Sequence, residues 1–202
     1  MVGVDLLWPT NRAADAAAHD VVRALASRGT DAVVLTHLTR LGPRPHVTLS
    51  VEATALSGAD LIELLGTVFP GAVLSDSGSD TAAHAGAVAH TARGGGRAVH
   101  YRGVEQLTGR LPVAEVLART AIDAVQLLGG AGPADPATTL VTRDHVRPTY
   151  QGAGWCWPSS GPPAAPWSRS RRRTPRPVAP TTPDRLPLPF AACPRPCARP
   201  FG

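Results

Sequence analysis

Proline spacing fixes how much of this chain can fold. Thirteen of the 21 prolines fall in residues 151–202, a density that allows neither a continuous ladder nor a helix. The same stretch carries 8 Arg against one acid, Asp184, whereas residues 1–150 carry 12 Arg against 14 acids. The net +5 therefore hides a slightly acidic body and a strongly basic tail. All three cysteines, Cys156, Cys193 and Cys197, lie in the tail, so the body has neither a disulfide nor a thiolate site. These breaks predict a single α+β domain over 1–150 and a disordered Pro/Arg-rich tail over 151–202. They also point to a shifted reading frame from about Gln151. In the shifted frame, the codons of Trp155-Cys156-Trp157 and of Pro158-Ser159-Ser160 become mostly apolar, in hairpin-like order. A body so truncated would lack its closing strands.

Within the body, residues 2–8 are apolar except Gly3 and Asp5 and read as a first strand. Thr10 or Asn11 caps a helix to about Arg28, closed by Gly29. Its face is Ala14, Ala18, Val21, Val22 and Leu25, with Asp15, His19 and Arg23 opposite. Residues 32–38 and 46–53 read as an antiparallel hairpin joined by TRLGPRP. The second strand alternates: Val47, Leu49, Val51 and Ala53 on one side, His46, Thr48, Ser50 and Glu52 on the other. Ser57 caps a helix over 58–68 whose core face is Leu61, Leu64, Leu65 and Val68, and a short strand over 72–74 follows. The order β-α-β-β-α-β is that of a ferredoxin-like split βαβ unit.

Beyond it, 81–93 is weakly helical and Ala-rich, 97–101 reads as a fifth strand, and 138–146 as another. Residues 112–128, PVAEVLARTAIDAVQLL, read as a buried central helix. Pro112 suits the first helical position, Gly129-Gly130 the stop, and Glu115, Arg119 and Asp123 share one stripe. The predicted fold is α+β: a ferredoxin-like N-terminal part extended by a further strand and this buried helix, with the helices on one sheet face. A doubly wound α/β sheet is the alternative.

Chemistry-bearing groups are sparse. Asp76 and Asp80, in the loop SDSGSD, and His84, four residues later, form a candidate anion or metal site at a strand-to-helix junction. The same residue types also serve any turn and cap. His37 and His46 would face each other if the hairpin paired 37 with 46, placing two imidazoles on an open polar sheet face. His90, His100 and His145 read as isolated structural or exposed residues. Gly94–Gly96 follows a helix and precedes a strand, the reverse of a phosphate-binding loop. Arg143-Asp144-His145 has charge-relay residue types, but neighbours on a strand point to opposite faces. No cofactor motif and no activated Ser or Cys motif occurs.

The leading reading is a non-enzymatic domain that binds a small molecule or a protein, of unknown ligand. The second is a metal-assisted hydrolase using Asp76, Asp80 and His84. The third is non-specific nucleic-acid binding through the Arg-rich run RSRRRTPR of the tail; with no reader motif beside it, no nucleic-acid partner is assigned. The N-terminus lacks a basic signal region and no apolar run is long enough to span a bilayer, so a soluble, cytoplasmic protein without a membrane partner is expected.

Overall fold

A computed structural model describes residues 1–75, 81–127, 132–142, 146–151 and 154–159. The first six elements follow the expected order: β1 (Val2–Trp8), α1 (Asn11–Ala26), β2 (Ala32–Thr39), β3 (His46–Ala53), α2 (Gly58–Val68) and β4 (Val73–Ser75). Both helices start on the capping side chains that the sequence offers. Thr10 accepts from the Ala13 N–H and Ser57 from the Asp60 N–H, each at 3.2 Å. The four strands lie in the order β4-β1-β3-β2 with every pair antiparallel. Strand alternation sends Val2, Val4, Val34, Leu49 and Val51 to one face. There they pack with Ala14, Val21 and Leu25 of α1 and Leu61 and Leu65 of α2.

The remaining elements are α3 (Ala82–Thr91), β5 (Arg97–His100), a 3-10 turn (Val104–Gln106), β6 (Gly109–Pro112), α4 (Val113–Arg119), β7 (Ala124–Leu127), β8 (Thr139–Thr142), β9 (Thr149–Gln151) and β10 (Gly154–Ser159). The sheet continues past β2 as β5-β9-β10-β7, eight strands in all, antiparallel except for the β10–β7 pair. β6 and β8 form a separate ribbon. A second core gathers Leu35, Tyr101, Leu107, Val116, Val125 and Trp155. No helix among the described residues is long and apolar enough to cross a membrane.

Three expectations are corrected. The helix over 112–128 is only α4, seven residues long. Pro112 ends β6, and Thr120 is already extended at φ −125° and ψ 176°. The Thr120 hydroxyl donates to the Val116 carbonyl at 2.9 Å and accepts the Ile122 N–H at 3.1 Å. A side chain that bonds the local backbone in this way ends a helix. The β-branched Ile122 and Val125 beyond it favour extended chain, and Val125 is buried opposite Trp157 of β10. Of the expected charge stripe, Glu115 and Arg119 do pair, at 2.7 Å, whereas Asp123 accepts the Trp155 N–H at 2.7 Å. Gly129 and Gly130 lie outside the described residues.

The helices also occupy both faces of the sheet. α3 lies against the face opposite α1 and α2, because Gly3 has no Cβ to collide with the Ala83 carbonyl. Finally, the boundary at 150 is set too early. Trp155 of β10 is buried, edge-on to Tyr101 and Tyr150 at centroid distances of 5.3 and 5.1 Å. A segment that completes a core and pairs with two strands belongs to the domain. Residues 160–202, with the Arg-rich run, lie outside the described residues.

Candidate functional site

Glu52 is exposed at the end of β3, but the polar face of the strand is buried at His46, Thr48 and Ser50. α3 covers it with Ala82, Ala83, Gly86 and Ala87, side chains too small to hold the helix off the sheet. A Cβ on Gly86 would stand 3.1 Å from Thr48 Oγ1 and 3.3 Å from the His37 ring. The glycine therefore brings helix, hydroxyl and imidazole to one point.

The hairpin register differs from the expected one. His37 faces Thr48, and His46 faces Thr39. The connection over residues 40–45 is long enough to leave the register open to sequence reading, and the observed pairing separates the two histidines. His46 is buried apart from the other site residues, with Nδ1 2.8 Å from the Arg44 carbonyl and Nε2 3.1 Å from Asp5 Oδ2. His37 instead reaches diagonally across the ladder, its Nε2 2.7 Å from Ser50 Oγ. The same hydroxyl lies 2.9 Å from Nδ1 of His90, near the end of α3. His90 Nε2 is 3.6 Å from Glu52 Oε2. One row thus runs Glu52, His90, Ser50, His37 between the sheet and α3.

Burial sets the charge of this row. Desolvation lowers the His37 pKa to about 4. His90 also falls to about 4, from burial first, then from His37 and the N-terminal ammonium. Both rings are neutral at neutral pH, so each has one donor and one acceptor nitrogen. Around His37 a cavity of about 400 Å3 opens, lined also by Thr39, Thr48, Gly86, Ala89 and Gly96. Thr48 Oγ1 is buried there without a hydrogen-bond partner among the described residues.

Of the acidic-loop candidates, Asp76 and Asp80 lie outside the described residues. His84 sits in the first turn of α3, its N–H bonded to the capping Thr81 hydroxyl at 3.1 Å. Among the described residues, no group of three or more His, Cys, Asp or Glu side chains could hold a metal ion. Ser50 and His90 are the site residues that sequence reasoning missed. The available signal was the pairing of a polar strand face with an Ala/Gly helix, since such a helix can cover only a surface it approaches closely.

Compared with family models, curated proteins and solved structures, the chain matches none.

Proposed function

We propose that this chain is a non-enzymatic, small-molecule-binding α+β domain, its ligand held in the cavity beside His37 and Thr48. We read its first six elements as a ferredoxin-like unit, supported by the strand order β4-β1-β3-β2 and the antiparallel pairing throughout. One observation carries the binding reading: the buried, unpartnered Thr48 hydroxyl in the wall of a cavity. Such a group costs about 1–3 kcal/mol when left unpaired, and a ligand that bonds to it recovers that cost. The His37 ring beside it is neutral, and Arg97, which also lines the cavity, is paired with Asp15, so the wall favours an uncharged ligand over an ion. The occupant is therefore a small neutral molecule that offers both a donor and an acceptor.

The test is saturation-transfer NMR with a library of neutral fragments, on the parent protein and on Gly86→Ala. The added methyl would stand against Thr48 and His37. Fragments should bind the parent and lose at least tenfold in affinity for the variant. A library that binds neither protein, or both equally, overturns the reading.

A further inference from the structure

We propose that His37, Ser50, His90 and Glu52 form a proton relay joining the His37 cavity to a second cavity at the Glu52 end of the same sheet face. The second cavity, about 610 Å3, is lined by Glu52 together with Arg93, Arg102, Asp123 and Tyr150. The first two links, 2.7 and 2.9 Å, are at hydrogen-bonding length. The third, 3.6 Å, is longer than a hydrogen bond and leaves the buried His90 Nε2 without a partner among the described residues; the relay requires the 50% exposed Glu52 side chain to close that gap. His37, Ser50 and His90 are buried, which keeps bulk water from bypassing the row.

Donor counting fixes the direction of the bonds. The Ser50 hydroxyl has one proton to give. His90 Nε2 faces the Glu52 carboxylate oxygen at 3.6 Å, so that nitrogen carries the ring proton and Nδ1 accepts from Ser50. Ser50 Oγ then accepts from His37 Nε2–H. His37 Nδ1 is left bare on the side of Gly96, which lines the first cavity. In this state the cavity is offered an acceptor.

A proton from water, or from an O–H or N–H acid in that cavity, adds to His37 Nδ1. The His37 Nε2 proton passes to Ser50 Oγ, the original Ser50 proton to His90 Nδ1, and the His90 Nε2 proton to Glu52. Every N–H or O–H bond broken is matched by one formed. The cavity loses one proton, Glu52 gains one, and both rings end neutral. His37 now presents a donor, so the charge on Glu52 decides which hydrogen-bonding polarity the first cavity shows. Other groups bias Glu52 and His90 from neighbouring elements. Asp31, His100 and Glu105 share a third cavity with Glu52, the Tyr150 ring lies 6.2 Å from His90, and the N-terminal ammonium acts on His90.

The relay runs with only water in the His37 cavity, so it is tested there and its failure would leave the binding reading standing. Long-range proton–nitrogen NMR of the full 15N-labelled chain reports which ring nitrogen is protonated. As pH falls from neutral, His37 and His90 should both change from Nε2–H to Nδ1–H at one shared midpoint that lies above the pH of about 4 at which each ring takes its second proton. Glu52→Gln should abolish the change. Ser50→Ala should break the shared midpoint; should that variant not fold, the half-exposed Glu52→Gln decides. Rings that keep one tautomer until each becomes an imidazolium, or that still change in Glu52→Gln, overturn the relay.

Discussion

The two faces of β3 are built from alternate residues of one strand, yet they do opposite work. Val47, Leu49 and Val51 enter an apolar core closed by α1 and α2. Thr48, Ser50 and Glu52 face α3, where hydroxyls, imidazoles and a cavity replace aliphatic packing. The first face gains free energy from each group removed from water. The second removes polar groups from water and recovers the cost only through hydrogen bonds, incompletely at Thr48 Oγ1 and His90 Nε2. Apolar packing therefore lies on one side of the sheet and a buried polar row on the other, within a single strand.

The largest effect should come from violating the apolar face. Leu49→Asp places a charge where the residue is fully buried, a change expected to cost more than about 5 kcal/mol. A thermal melt checks it, and a cooperative transition near that of the parent would break the contrast. Acid attacks the other face. His37 and His90 have folded pKa values lowered to about 4, below the unfolded value of about 6.5. The unfolded chain therefore binds protons first. Stability is unaffected above the unfolded pKa and falls as pH drops from there toward the folded values. The loss is roughly 3 kcal/mol for each ring at full effect. Urea titrations across that window measure the slope, and its removal in His37→Gln with His90→Gln assigns it to these rings. The smallest effect has the reverse sign. Thr48→Val keeps the shape and removes the unpaired hydroxyl, so it should stabilise by about 1 kcal/mol. A destabilised variant would mean that the hydroxyl has a partner after all.

The apolar face was legible because its signals are local. Caps at Thr10 and Ser57, the 3.6-residue spacing of α1 and α2 and the period of two in β3 each specify an element within a few residues. The polar face was not, because its meaning depends on what covers it. Ser50 and His90 are 40 residues apart, and the Ala/Gly sequence of α3 has little apolar patterning to announce a buried helix. Residues 113–127 misled for a related reason. Thr120 has ordinary side-chain chemistry for a helix, and only its bonds to Val116 and Ile122 reveal a stop. At the end of the domain, composition changed before the fold did: Trp155 closes the second core inside a stretch whose prolines read as tail.

The insertion of β10 between β9 and β7 also has a consequence in time. Among the described residues, β10 is the strand that pairs with β7 in the eight-stranded sheet, although β7 is made about thirty residues earlier in the chain. During vectorial synthesis, strands β1 to β5 can pair as they emerge. Ala124–Leu127 has only a local bridge to Pro133 and Ala134, and its edge in the sheet must wait until Gly154–Ser159 has left the ribosome. The second core is thus the last to close, and a nascent chain paused before residue 159 exposes Val125 and Ile122 to whatever chaperone or neighbour is at hand.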